Sequence, residues 1–219
     1  MSEELWTAVD KYLTDLFVPQ DAALEAVLAD SDAAGLPTIA VSANEGKLLH
    51  LLARAVGARK ILEVGTLGGY STIWLARALP VGGRLISLEY AEKNAEVARK
   101  NIARAGLADR VEVRVGRAVD TLPESVGEAP FDLIFIDADK ESYAEYLDWA
   151  VRLGRSGTVI IADNVVRDGA VLDAASEDSM VKGIQRFNLA LAAEKRVDAT
   201  AIQTVGSKGW DGFALALVK

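Results

Sequence analysis

The 219-residue chain contains no cysteine and a single histidine, His50. Those two absences exclude disulfides, thiolate nucleophiles, zinc sites built from Cys or several His, and Cys/His catalytic pairs; a Ser-His-Asp triad has only His50 to draw on. No apolar run approaches the roughly 18 residues of a membrane span, and Met1-Ser2-Glu3-Glu4 has no basic n-region, so a cytoplasmic protein without a membrane partner is expected. Basic residues are in deficit. The 24 Lys and Arg stand against 32 Asp and Glu, and the net charge of -8 disfavours a phosphate backbone, hence nucleic acid, as ligand. What the chain does have is apolar material: 51% hydrophobic residues beside 26% charged ones give a core and exclude disorder.

Short aliphatic and β-branched runs alternate with segments of helical period, the pattern of a parallel sheet covered by helices. Strands are expected at Lys60 to Val64, Arg84 to Glu89, Val111 to Val115, Phe131 to Ile136 and Thr158 to Ala162. The alternation in Val111-Glu112-Val113-Arg114-Val115 marks an edge strand, whereas the uninterrupted Leu133-Ile134-Phe135-Ile136 and Val159-Ile160-Ile161 mark central ones. Ser42-Ala43-Asn44-Glu45 has the form of a capping box before a helix carrying Leu48, Leu51, Leu52, Ala55 and Val56. Further helices are expected over residues 91 to 105, ending at a left-handed Gly106, over 140 to 153, ending the same way at Gly154, and over 178 to 193. Arg196 to Val205 and Phe213 to Val218, around Gly206-Ser207-Lys208-Gly209, form a terminal hairpin. Residues 1 to 35 are two helices outside this alternation, the first bearing Trp6, Tyr12, Leu13, Leu16 and Phe17. No repeat or linker divides the chain. The expectation is one α/β domain over residues 1–219, a Rossmann-like doubly wound sheet, mostly parallel with an antiparallel C-terminal strand, helices on both faces and an N-terminal helical extension.

Ile61-Leu62-Glu63-Val64-Gly65-Thr66-Leu67-Gly68-Gly69-Tyr70-Ser71 is a buried strand, a glycine turn and a helix start, the place where such a sheet binds a nucleoside ligand. With glycines at 65, 68 and 69 the dinucleotide fingerprint fails at its second position, so no pyrophosphate cradle is implied. Glu63 is an acid in an apolar strand and calls for a partner. Glu89, 24 residues beyond Gly65, closes the next strand where a carboxylate accepts both ribose hydroxyls. Two acids around a glycine turn suit a ligand with an ammonium, an adenosine and no phosphate, which describes S-adenosylmethionine.

Two central strands end in polar residues: Ile136-Asp137-Ala138-Asp139-Lys140 and Ala162-Asp163-Asn164. In a parallel sheet both ends open into one crevice, so Asp137, Asp163 and Asn164 offer an all-oxygen set for Mg²⁺, with Mn²⁺ or Ca²⁺ as alternatives. The competing reading makes Asp163-Asn164 a loop turn and Asp137 a helix cap. Lys140, beside these acids, is a candidate proton acceptor.

These motifs resemble the class I S-adenosylmethionine-dependent O-methyltransferases, in particular the cation-dependent catechol and caffeoyl-CoA type, from about Val41 to Val218. Glu-Val-Gly-Thr-x-x-Gly-Tyr-Ser matches that family's cofactor loop at Glu63 to Ser71. The resemblance implies that Val41 packs beside the cofactor, that Glu63, Gly65, Thr66 and Ser71 hold its methionine end, that Glu89 takes the ribose and that Ala118 flanks the adenine. It further implies metal ligation by Asp137, Asp163 and Asn164, Lys140 as general base with Asp137 in the catalytic and cofactor sets, and Asp139 near the cofactor's ammonium. The expected acceptor is a small catechol or phenol; a homodimer is the expected assembly, the apolar positions of the N-terminal helices serving as its seam or as a lid.

Where this chain carries Val165-Val166-Arg167-Asp168-Gly169, plant-type members have an aromatic, so Arg167 meets either a carboxylate on the acceptor or solvent. His50 falls with Lys47 and Arg54 on a polar helix face and is expected to be exposed. Trp74 and Trp149 read as packing groups, and Trp210, in the loop before the last strand, as a candidate pocket wall. The competing functions are an NAD-dependent oxidoreductase, which lacks its pyrophosphate turn here, and a non-catalytic S-adenosylmethionine-binding protein. An RNA methyltransferase is disfavoured by the acidic balance.

Overall fold

The structure, a computed structural model, describes residues 2–19 and 21–219; Met1 and Gln20, both within the expected N-terminal extension, lie outside them. Seven strands form one sheet in the order β3-β2-β1-β4-β5-β7-β6. They are β1 (Lys60–Val64), β2 (Arg84–Glu89), β3 (Val111–Val115), β4 (Leu133–Ile136), β5 (Val159–Asp163), β6 (Val197–Gly206) and β7 (Gly209–Val218). The first five pair in parallel, whereas β7 runs antiparallel to both β5 and β6. The chain builds outward from β1 to β3, then returns to lay β4 against the other side of β1. That reversal splays the connections apart and opens a crevice at the carboxyl ends of β1 and β4.

Alternation along each strand explains why the apolar runs are uninterrupted. Ile134 and Ile136 of β4 point into one core with Leu62 and Val64, while Leu133 and Phe135 point into the other with Ile61 and Ile161. The second core is closed by α3 (Ala43–Ala55) and α4 (Tyr70–Ala78), the first by α7 (Tyr143–Leu153) and α8 (Ser179–Ala193). On β3 only Val113 is buried, as suits its place at the sheet edge. The helices α1 (Glu3–Phe17) and α2 (Ala22–Ala33) precede these layers, α5 (Glu92–Arg104) follows β2, and the one-turn α6 (Ala118–Thr121) follows β3. No helix is long and apolar enough to cross a membrane among the described residues.

Three local expectations are corrected. Gly106 does close α5 with φ +72°, but Gly154 is extended at φ -90°, ψ -176°: the chain leaves α7 directly, and the Arg155 N–H is taken by Thr158 Oγ1 at 2.9 Å. β7 begins at Gly209 rather than Phe213, so Trp210 sits in the hairpin and not in a loop. Gly209, Asp211 and Gly212 have loop composition, yet pairing with β6 overrides it; a Cβ on Gly212 would lie 2.3 Å from the Ile202 carbonyl oxygen, so only glycine admits this ladder. His50 is half-buried, its Nδ1 3.2 Å from the Trp74 carbonyl oxygen and its ring edge-on to that indole.

Candidate active site

The crevice at the switch point is a cavity of about 850 Å³, within the range that takes a cofactor and a small substrate. Its floor is the turn after β1. Gly65 has φ +101°, and a Cβ there would stand 1.9 Å from the Asp137 carbonyl oxygen, so β1 and β4 approach closely only because residue 65 has no side chain. Leu67 is left-handed at φ +50°. The turn is held from beneath by Glu89, whose Oε2 accepts from the N–H groups of Leu67 at 2.8 Å and Thr66 at 3.3 Å. From behind, Asn101 Nδ2 donates to the Gly68 carbonyl at 2.9 Å. Val41, Gly65, Thr66, Ser71, Glu89 and Ala118 all line this cavity.

Glu63 does not line it. Its carboxylate is fully buried behind the turn, accepting from Ser71 Oγ at 2.6 Å, Thr72 Oγ1 at 2.5 Å and Ser87 Oγ at 2.6 Å. Three hydroxyls, not a cation, are the partners its burial demands. Burial dominates them and pushes its pKa up to about 7 from an ordinary 4.5. Between those values the native protein holds a proton that the unfolded chain has lost, so stability falls as pH rises through this window. Glu63→Gln is therefore expected to remove on the order of 3 kcal/mol of the stability difference between pH 5 and pH 8, read by urea unfolding at both. An unchanged difference in the variant would assign that slope to other groups.

At the other end of the cavity, Lys140 is buried and its Nζ donates to Asp137 Oδ1 at 2.8 Å and to Tyr143 Oη at 2.6 Å. Tyr143 Oη in turn donates to the Asp163 carbonyl at 3.0 Å, tying the ends of β4 and β5 together. Tyr146 donates to Asp139, whose carboxylate and burial hold that phenol protonated. Asp163 lies immediately behind the wall, and Asn164, left-handed at φ +59°, lines it.

The sequence did not reveal Glu45. Its backbone N–H closes the Ser42 cap at 3.2 Å, and its side chain lies between the Ser42 backbone and the Asp163 carboxyl. Burial first, then the Glu45 and Asp137 charges, push the Asp163 pKa well above the carboxylate range. Asp137 just beyond β4 is thus paired with Lys140, Glu45 of α3 with Asp163 of β5, and Asn164 lines the same cavity. No three His, Asp or Glu side chains stand in metal-holding geometry among the described residues, so any ion here would need the Asn164 amide as a ligand. Trp210 is absent from the cavity wall; it packs over Gly169 and donates to Gln203 Oε1 at 3.0 Å.

A catechol O-methyltransferase of Niastella koreensis is 55% identical over 221 residues, covering 100% of both chains. One of Mycobacterium tuberculosis is 58% identical over 211 residues, 96% of this chain and 95% of that one. The solved structure of an O-methyltransferase from Bacillus cereus in complex with SAH superposes with TM-score 0.98 at 58% identity, covering 100% of each chain. The family model described as O-methyltransferase matches residues 18–218, and on that extent of match the chain belongs to the O-methyltransferase family.

Proposed function

We propose that the protein transfers the methyl group of S-adenosylmethionine to one hydroxyl of a small catechol, with a divalent cation, Mg²⁺ foremost, at Asp137, Asp163 and Asn164. The observation that carries this reading is the contact between Gly65 and the Asp137 backbone: the turn fit for a nucleoside and the carboxylate fit for an acceptor abut at one point of one cavity. The SAH in the Bacillus cereus relative, the form left when S-adenosylmethionine gives up its methyl, and the catechol named for the other two relatives support donor and acceptor respectively.

The donor set suits the ion. Asp137 and Asp163 are hard oxygen ligands and Asn164 adds a neutral one; burial first, and then the neighbouring Glu45 and Asp137 charges, raise the Asp163 pKa. Bound there, the ion would favour the deprotonated acceptor oxygen. Gly65, Thr66 and Ser71 hold the donor's amino-acid end, Val41 packs beside the donor, Glu89 takes its ribose and Ala118 flanks its adenine, with Asp139 near the ammonium. Lys140 Nζ, oriented by Asp137 and Tyr143, receives the hydroxyl proton. Enclosure excludes water, which raises the reactivity of an anionic nucleophile toward a cationic methyl. A homodimer belongs to this reading: α1 buries none of its residues and exposes Leu5, Tyr12, Leu16 and Phe17.

The test is transfer of labelled methyl from S-adenosylmethionine to catechol, in protein treated with EDTA and then resupplied with Mg²⁺. Transfer should be lost and then regained while S-adenosylmethionine still binds the stripped protein. Undiminished turnover in metal-free protein refutes the metal assignment.

A further inference from the structure

We propose that Arg167 is a specificity-determining residue and that it takes a carboxylate: the preferred acceptor is an aromatic diol carrying an acidic group. This deepens the catechol reading and rests on it. Arg167 stands three residues after Asn164, in the loop leaving β5, and its side chain lines the same cavity as Asn164 and Asp137.

Its surroundings are those of a group held ready for an anion. The Nε is buried without a partner, and the nearest acceptor to Nη2 is the Met180 thioether at 4.0 Å, a weak one. Among the described residues no carboxylate forms an ion pair with it, although Arg77, Arg104, Arg114 and Arg155 each have one. Arg117 on the same cavity wall also has no ion pair, but it is exposed; Arg167 is the arginine whose guanidinium carries a buried, unpartnered nitrogen among the described residues. A buried donor left unpaired is costly, and the cost is relieved when a ligand supplies the missing acceptor.

The backbone is also arranged to hold the side chain there. Arg167, Asp168 and Gly169 are left-handed in succession, with φ of +55°, +52° and +81°. This strained segment is clamped by Asp211, whose Oδ1 accepts from the N–H groups of Val166 at 2.9 Å and Arg167 at 3.0 Å, and by Trp210 packed over Gly169. A second cation, Lys208 at the tip of the β6-β7 hairpin, lines the cavity too; its Nζ meets the Thr38 carbonyl at 3.3 Å. One wall thus presents a carboxylate and an amide for a diol, and other segments present the cations Arg117, Arg167 and Lys208. A planar carboxylate matches the paired N–H groups of a guanidinium.

The test compares kcat/KM of the Mg²⁺-supplied enzyme, with saturating S-adenosylmethionine, for 3,4-dihydroxybenzoate and for its methyl ester, which keeps ring and diol and loses the charge. The native enzyme should prefer the acid by ~10-fold or more; Arg167→Gln should collapse that ratio by a similar factor, and Arg167→Lys should retain part of it. Turnover of the ester by Arg167→Gln reports that the variant is folded. An unchanged ratio in Arg167→Gln overturns the proposal, and so does a raised KM for S-adenosylmethionine with the ratio intact, which would put the guanidinium on the donor's carboxylate. If the native enzyme methylates the ester without preferring the acid, the anchor fails alone. If it methylates neither, the catechol reading fails and takes this inference with it.

Discussion

Asp137→Asn is expected to lower kcat by ~10³-fold or more while S-adenosylmethionine binding changes little. The substitution keeps the volume and removes the charge that does two things at once. The carboxylate accepts from the buried Lys140 Nζ at 2.8 Å and so orients it, and it is the more accessible of the two acids on the acceptor side. A neutral amide keeps an acceptor for Nζ but holds it without charge, and it takes one negative oxygen from the proposed cation set. Single-turnover transfer at saturating donor, beside calorimetric titration with S-adenosylmethionine, separates loss of chemistry from loss of binding. A variant that retains a tenth of native turnover would remove Asp137 from the catalytic machinery.

The second large effect is structural in origin. Gly65→Ala is expected to cost roughly 3 kcal/mol or more of stability and to abolish transfer, because φ +101° strains any L side chain and the new Cβ meets the Asp137 carbonyl at 1.9 Å. That neighbour is backbone at the residue following central strand β4 and has no rotamer to yield. Gly57→Ala is the matched control. Gly57 is also left-handed, at φ +62°, but nothing lies within 4 Å of its Cβ, so only the backbone term of about 1 kcal/mol applies and activity is retained. Urea unfolding and methyl-transfer rates on both variants check the pair. Equal costs at the two sites would mean that the clash at residue 65 relaxes freely.

Much of the fold was legible because the central strands are covered on both faces. Leu133 to Ile136 and Val159 to Ile161 had to be apolar throughout, and the polar residues breaking those runs, Asp137 and Asp163-Asn164, therefore announced the crevice. What was not legible depends on partners distant in sequence. The hydroxyls that satisfy Glu63 come from the start of α4 and from β2, so the sequence shows an acid that needs a partner but not that Ser71, Thr72 and Ser87 supply it. Glu45 reads as a helix cap because Ser42-Ala43-Asn44-Glu45 has that pattern; only the packing of α3 against β5 turns its carboxyl toward Asp163. Likewise Trp210 sits among glycine and aspartate, and only cross-strand pairing with Val205 makes it part of a strand.

The contact between Gly65 and Asp137 has a consequence for how this scaffold diversifies. Donor floor and acceptor acid rest on adjacent central strands in direct van der Waals touch, so the span a methyl group crosses is fixed by the sheet and inherited whatever the acceptor. The segments proposed to choose the acceptor, around Arg167 and Lys208, hang from the rim on a loop and a hairpin tip. Selection can rewrite that rim repeatedly without disturbing the reaction distance, a division of labour between an invariant chassis and interchangeable fittings.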